Sequence, residues 1–277
     1  MTVYDEKFYA EQQADSLESA RRIVPHVLKY VQPRSVVDLG CGVGTWLSVF
    51  REHGIEDLCG VDGSYVNDEM LHIPASLFLP HDLTQTLRLE RTFDLALSLE
   101  VAEHLPRANA SDFVEDLTRL APVVLFSAAI PWQGGVHHVN EQWPDYWETL
   151  FAQRGFVLVD CLRSDIWSLP GIKPHYAQNA FFYVASTALP RFPALQAAQA
   201  SPGQLPRALV HPGIYEHRLS TLAAEKTLEP GNVRLREVLQ AIPRLLLFRS
   251  KELLKRVLLR LAPDLLEVHR KHKRRVG

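Results

Sequence analysis

The 277-residue sequence lacks the features that define several protein classes. Its three cysteines, at positions 41, 59 and 161, are widely spaced, so neither a disulfide framework nor a paired-cysteine zinc site is predicted. The longest apolar run, Val123 to Trp132, has half the roughly 20 residues that a transmembrane helix needs. The first residues lack the basic end and apolar run of a signal peptide. We therefore expect a cytoplasmic protein that does not span a membrane.

An excess of either charge sign is also lacking, since 30 Lys and Arg residues oppose 32 Asp and Glu residues. The distribution is uneven, however. Residues 244–277 contain eleven basic and three acidic residues, a net charge of +8, which leaves −10 on residues 1–243. Phosphate contacts need a basic surface, so we expect no nucleic-acid partner for the main body of the protein. The basic tail is suited to an acidic surface.

Seven short apolar runs, separated mostly by helical or turn-like spacers, predict an α/β fold with a mostly parallel, doubly wound sheet and helices on both faces. The last two runs have no convincing helix between them, so we expect them to pair as an antiparallel hairpin at one edge. A helix from Leu17 to Val31 precedes the first strand. The seven runs are Ser35–Leu39, Leu58–Val61, Leu77–Leu79, Phe93–Ser98, Val123–Ser127, Phe156–Cys161 and Phe181–Ala185.

The sequence suggests three regions. Residues 1–187 contain every predicted strand, residues 188–213 are rich in proline and read as a linker, and residues 214–277 form a basic helical extension. An amphipathic helix in this extension has two interpretations: peripheral contact with an anionic membrane, or packing on the sheet domain or a second subunit. The packing interpretation is favoured, because amphipathic helices mostly bury their apolar face against protein.

The strongest motif is a strand that runs into three alternating glycines, Gly40, Gly42 and Gly44, with Asp38 inside the strand. Glycine allows positive φ and close approach of a ligand to the main chain. Ligands of open α/β sheets bind at the carboxyl ends of strands, so this turn predicts a binding crevice. The spacing is G-x-G-x-G and not the G-x-G-x-x-G of dinucleotide enzymes. A tight turn that binds nothing is the alternative.

This turn resembles motif I of class I S-adenosylmethionine (SAM)-dependent methyltransferases, which have a Rossmann-like fold. The resemblance implies that Asp38 helps to hold the methionyl amine, that Asp62 accepts the ribose hydroxyls, and that Asp82 and the main chain of Leu83 read adenine. The residues expected to contact SAM are Asp38, Gly40, Gly42, Gly44, Asp62, Gly63, Asp82, Leu83 and Glu100.

The fourth strand leads into an E-x-x-E-H motif, Glu100, Glu103 and His104, similar to that of several O-methyltransferases. If Glu100 begins a helical turn, the three side chains share one face and form half of a site for Mg²⁺ or Mn²⁺. His138, in the run H-V-N-E-Q-W, is the expected fourth ligand. Alternatively, Glu103 and His104 brace a helix while Glu100 alone faces the cofactor. Without a metal, His138 or His104 is suited to act as general base.

The pattern as a whole resembles bacterial methyltransferases found beside polysaccharide and secondary-metabolite genes. This resemblance implies O-methylation of a hydroxyl on a sugar, a glycan precursor or a similar small metabolite. Trp132 departs from the pattern, which has a small residue after Ile-Pro, and we expect it to narrow the acceptor pocket. Two alternatives stay open: an RNA ribose 2′-O-methyltransferase, suggested by E-x-x-E-H, and a scaffold protein that binds the cofactor without turnover.

Overall fold

A computed structural model describes residues 6–201 and 206–227. The chain divides into two compact units between Ile214 and Tyr215, and all the candidate site residues lie in the first unit. Within the described ranges, no helix combines the length and the apolar character needed to cross a membrane. The predicted basic tail, residues 244–277, lies outside the described residues, so its contact with a membrane or a second subunit stays a prediction.

All seven predicted strands are confirmed, and they form one sheet. Their bounds are β1 Ser35–Leu39, β2 Asp57–Asp62, β3 Phe78–Pro80, β4 Leu95–Leu99, β5 Val123–Ser127, β6 Phe156–Val159 and β7 Phe181–Ala185. The order across the sheet is β3-β2-β1-β4-β5-β7-β6. Strands β1 to β5 are parallel, and β7 runs antiparallel to both of its neighbours. This is the Rossmann-like arrangement that the sequence predicts.

The expected antiparallel pairing of the last two strands at one edge of the sheet is confirmed. Strand β6 forms that edge, and β7 lies between β5 and β6. The apolar sequence of β7, Phe-Phe-Tyr-Val, is buried and suits an interior position, where both faces are covered. The spacer contains two short helices, α5 Leu162–Ile166 and α6 Pro174–Asn179, which are too brief to show a helical period in the sequence.

Helices cover both faces of the sheet. The remaining helices are α1 Glu6–Tyr30, α2 Thr45–Glu52, α3 Ala110–Leu120, α4 Pro144–Ala152, α7 Pro193–Ala200 and α8 Pro212–Thr227. Alternate residues of each central strand pack into two separate apolar clusters: Val36 lies in the cluster with α1, α2 and α7, and Val37 lies in the cluster with α3 and α4. Successive strand side chains point to opposite faces, so one sheet supports both layers.

The stretch predicted as a linker, residues 188–213, is partly packed on the sheet domain. Leu195 of α7 is fully buried in the core, and Arg163 donates a hydrogen bond to the carbonyl of Pro206 at 3.1 Å. The prolines of this stretch suggested a linker, but two of them, Pro193 and Pro212, are the first residues of helices. The N–H that proline lacks would have no hydrogen-bond partner within the helix at that position. Independent folding of residues 1–187 stays a prediction.

Candidate active site

The glycine turn joins β1 to α2 at the carboxyl edge of the sheet. All three glycines have positive φ, from 53° to 86°. A side chain at Gly40 would place its Cβ 2.4 Å from Val101, and one at Gly44 would lie 2.7 Å from Ile73, so neighbouring side chains close over these two positions. Around Gly42 there is open space. The turn therefore exposes main chain at its centre, as the sequence predicts for a binding crevice.

Asp62, the last residue of β2, is bonded to the turn. Its carboxylate accepts hydrogen bonds from the main-chain N–H groups of Gly42 and Gly63, each at 2.7 Å, and from the hydroxyl of Tyr65. The side chain of Tyr65 is largely exposed. A carboxylate offers about four acceptor positions, so Asp62 keeps capacity for a ligand hydroxyl. Sequence reasoning missed Tyr65, although it lies only three residues after Asp62.

Asp38 lies within β1, paired with Gly60 on one side and Leu97 on the other. Its side chain is buried, and burial together with the nearby charge of Asp62 raises the pKa of Asp38 to about 7. A cationic group placed beside Asp38 would stabilise its ionised form. The environment is therefore suited to the ammonium partner that the resemblance implies.

The third expected acid has a local role. Asp82 is exposed, and one of its carboxylate oxygens accepts hydrogen bonds from the N–H and hydroxyl of Thr84 at 2.9 and 2.8 Å. These bonds lower the pKa of Asp82. They form a turn of the kind that Asp commonly stabilises. The main-chain N–H of His81 donates a hydrogen bond to the carbonyl of Asp62 at 2.7 Å, which ties this turn to β2. Leu83, the other residue expected to contact adenine, is partly buried beside the core.

Glu100 does not begin a helical turn. It adopts φ of 56°, and its carboxylate accepts hydrogen bonds from Gln133 at 2.7 Å and Asn179 at 3.1 Å. The helical turn starts only at Ala102, so the expected shared face of Glu100, Glu103 and His104 is wrong. Gln133 comes from the loop after β5 and Asn179 from the last position of α6, and no local motif in the sequence pointed to them.

Glu103, His104 and His138 do come together. Each offers one ligand atom, and these atoms all lie within 4.8 Å of one another. The carbonyl of Glu103 accepts the N–H groups of Val139 at 2.9 Å and Asn140 at 3.0 Å, which holds the His138 loop against the short helix. Within the described residues this group excludes Glu100. The sequence thus placed these three residues together, and their role as metal ligands stays a prediction.

The electrostatics of this cluster are unusual. Glu103 is fully buried, and within the described part of the chain no side chain bonds to its carboxyl oxygens; the main-chain N–H groups of Glu103 and Ala129 partly offset the effect of burial on its pKa. Burial and the charge of Glu100 raise the pKa of Glu103 well above its ordinary value. Burial and the neighbouring His138 lower the pKa of His104. Both shifts favour neutral side chains, and a cation bound among them would instead favour an ionised Glu103.

Two tryptophans of the described chain lie in different environments. Trp147 is a core residue, packed against Phe126 with ring centroids 5.1 Å apart. Trp132 is 78% exposed and adopts φ of 71°. An exposed Trp in a conformation that β-carbon sterics disfavour marks a loop held in place by other contacts.

The geometry can be compared with known proteins. A family model described as a methyltransferase domain matches residues 9–160, more than half of the chain. The chain belongs to this family. It is a class I SAM-dependent methyltransferase, and its glycine turn lies inside the matched region. No curated protein matches the sequence.

Several solved structures resemble this methyltransferase. DesVI from Streptomyces venezuelae is 13% identical, with a TM-score of 0.51 over 67% of this chain and 100% of that chain. At this identity, the likeness shows the fold. The methyltransferase domain of bacterial CtHen1-CN is 22% identical (TM-score 0.45; 60% of this chain, 97% of that one). The sugar N-methyltransferase KedS8 from Streptoalloteichus sp ATCC 53650 is 18% identical (TM-score 0.47; 66% and 96%).

Proposed function

We propose that this methyltransferase transfers the methyl group of SAM to a hydroxyl of a sugar, a glycan precursor or another small metabolite, with a divalent metal ion held by Glu103, His104 and His138. The observation that carries the proposal is the Glu103 carboxyl group. It is fully buried, has no side-chain hydrogen-bond partner within the described chain, and is adjacent to two imidazoles. Burying a polar group without a partner is costly, and a metal ligand is one role that repays this cost.

The donor set fits a divalent cation. One carboxylate and two imidazoles leave room for an acceptor oxygen or water in further coordination positions. The carboxylate of Glu100 is hydrogen-bonded to Gln133 and Asn179 and is not part of this donor set. The set therefore has a larger share of nitrogen ligands than the four residues that the sequence predicts. Imidazole ligands suit transition metals better than they suit Mg²⁺, so Mn²⁺ is the better match of the two expected ions.

The protein has modest chemical work to do, since SAM carries an already activated methyl group. Asp38 and Asp62 would hold the amine and the ribose, and the loop that carries His138 would align the acceptor oxygen with the methyl carbon. When bound, a divalent metal lowers the pKa of an acceptor hydroxyl and fixes its oxygen. In the metal-free alternative, the neutral imidazole of His104 or His138 accepts the hydroxyl proton.

A small acceptor is favoured over RNA. Residues 1–243 carry a net charge of −10, which opposes the many phosphate contacts that RNA binding requires. The exposed indole of Trp132 offers a flat apolar face on the His138 loop, suited to a ring. The free cysteines 41, 59 and 161 fit the cytoplasmic location that we propose.

The test is turnover of SAM with a panel of hydroxylated sugars and small metabolites. We expect activity to fall in a chelator and to recover with Mn²⁺ more than with Mg²⁺. Full activity in the chelator would favour the general-base alternative. Thermal stabilisation by SAM with no methylated product from any acceptor, RNA included, would favour the scaffold alternative.

A further inference from the structure

The loop between β5 and α4 folds around a single carboxylate, Glu141. One of its oxygens, Oε2, accepts the main-chain N–H of Trp132 at 2.8 Å. The other, Oε1, accepts the main-chain N–H of Gly134 at 2.8 Å and lies 2.9 Å from Nδ1 of His138. One side chain therefore ties two main-chain positions of the loop to the imidazole ring.

The contact with Nδ1 determines which nitrogen of His138 carries a proton. An ionised carboxylate only accepts hydrogen bonds, so Nδ1 must be the protonated nitrogen of a neutral His138 ring that bonds to Glu141. The other nitrogen, Nε2, then has a free lone pair. Only such a nitrogen can ligate a metal ion or accept a proton.

The rest of the loop fixes where the ring lies. At Gly135, a side chain would place its Cβ 2.1 Å from Nε2 of His138, so the imidazole packs directly against glycine main chain. On the far side, Val139 and Asn140 bond to the carbonyl of Glu103. His137 adopts φ of 61°, a disfavoured conformation that this set of contacts must maintain.

We propose that Glu141 is a positioning residue that fixes His138 as its Nδ1–H tautomer and thereby makes Nε2 the third ligand beside Glu103 and His104. The inference rests on the proposed function, because it assigns a task toward that metal. A carboxylate on the far nitrogen of a ligating histidine orients the ring and raises its basicity, and its loss typically weakens metal binding by about 10- to 100-fold.

The first experiment reads the tautomer without any metal. Heteronuclear NMR of the ¹⁵N-labelled imidazole, recorded in a chelator at alkaline pH where a histidine ring is neutral, reports which nitrogen carries hydrogen. We expect the Nδ1–H form in the wild type and a shift toward the Nε2–H form in Glu141→Ala. Glu141→Gln keeps the shape and one acceptor, so it preserves the loop if the alanine variant fails to fold, and it should give a mixture. An unchanged tautomer in every folded variant would overturn the inference.

The second experiment measures Mn²⁺ affinity by electron paramagnetic resonance. We expect about 10- to 100-fold weaker binding in Glu141→Ala and a smaller loss in Glu141→Gln. Glu56→Gln makes the same chemical change at an exposed ion pair with Arg51 and should bind Mn²⁺ as the wild type does. Wild-type binding that the Glu141 variants leave unchanged would overturn this inference alone. If the wild type binds no Mn²⁺, the metal site of the proposed function fails, and the ligand role of His138 fails with it.

Discussion

Two regions meet at the carboxyl edge of the sheet, and they are built differently. The cofactor region uses residues at the ends of neighbouring strands: the turn from Gly40 to Gly44 follows β1 directly, and Asp62 ends the adjacent strand. The proposed metal region joins Glu103 and His104 to His138, more than thirty residues away, through a loop that bonds to the main chain of Glu103. The first region is set by strand order, whereas the second depends on the conformation of one loop.

The difference also appears in the backbone. In the cofactor turn, positive φ falls on glycines, for which it carries little steric cost. In the segments that flank the proposed metal region, positive φ falls on Glu100, Trp132 and His137, where the β-carbon makes it sterically unfavourable. Disfavoured conformations of this kind persist only where surrounding contacts over-determine them. We therefore expect the metal region to be more sensitive to single changes than the cofactor turn.

The largest expected effect separates the two regions. His138→Ala should lower metal-dependent turnover by about 100-fold or more, because it removes a ligand atom. SAM affinity should stay within about twofold, since the cofactor residues keep their own contacts. Steady-state kinetics and calorimetry measure the two quantities. His53→Ala, at the exposed end of α2, is the control. An equal loss of SAM affinity would show that the two regions are not separable.

Asp62→Ala should affect the cofactor region and leave the proposed metal region unchanged. The change removes an acceptor for the ribose and leaves the N–H groups of Gly42 and Gly63 unpaired. We expect SAM binding to weaken by about 1–3 kcal/mol, measured by calorimetry, with Mn²⁺ affinity unchanged. Asp57→Ala, on the same strand but exposed and paired with Arg91, should bind SAM normally. Normal SAM binding by Asp62→Ala would refute the ribose role.

The pH dependence of SAM binding should report Asp38. The pKa of this carboxyl in the cofactor-free protein is about 7, and the SAM ammonium favours the ionised form. Affinity should therefore increase with pH, roughly eightfold between pH 6 and 7.5, a range below the ordinary pKa of an α-amino group. Calorimetry on the wild type and on Asp38→Asn measures this slope, which the variant should lack.

Asp38 also makes a prediction for stability. Its folded-state pKa lies above the ordinary value of 3.8, so the fold favours the protonated form. The stability of the cofactor-free protein should decrease as pH rises from about 4 to about 7 and then level off, and saturating SAM should oppose this decrease. Thermal unfolding of Asp38→Asn, which cannot ionise at this position, should lack the same decrease. A wild-type profile that matches the variant would contradict the raised pKa.

The smallest expected effect compares two glycines. Gly42→Ala meets open space but keeps positive φ, so it should lower the free energy of unfolding by about 1 kcal/mol in urea denaturation. Gly135 has no such φ, yet a Cβ there would lie against the His138 ring. For Gly135→Ala, the loss in the free energy of Mn²⁺ binding should therefore exceed the loss in the free energy of unfolding. The reverse pattern would mean that the loop does not position His138.

Much of the fold was readable from the sequence, because the signals are local. Strands β1, β5 and β7 have the bounds that their apolar runs predict, and the glycine turn lies where its spacing places it. The errors came from features without a local signal. Helices α5 and α6 are too short to show a helical period, and the packing of α7 depends on a core site for Leu195.

The candidate site also has features that follow from the sequence and features that depend on tertiary contacts. The sequence by itself determined the cofactor turn, its acids and the residue types Glu103, His104 and His138, because backbone freedom and side-chain chemistry belong to each residue. Only the tertiary structure decided that Glu100 bonds to Gln133 and Asn179, and that the His138 loop bonds to the carbonyl of Glu103. These contacts depend on how a loop closes over a strand end. Loop closure is fixed by hydrogen bonds between distant segments, which no periodicity or spacing records.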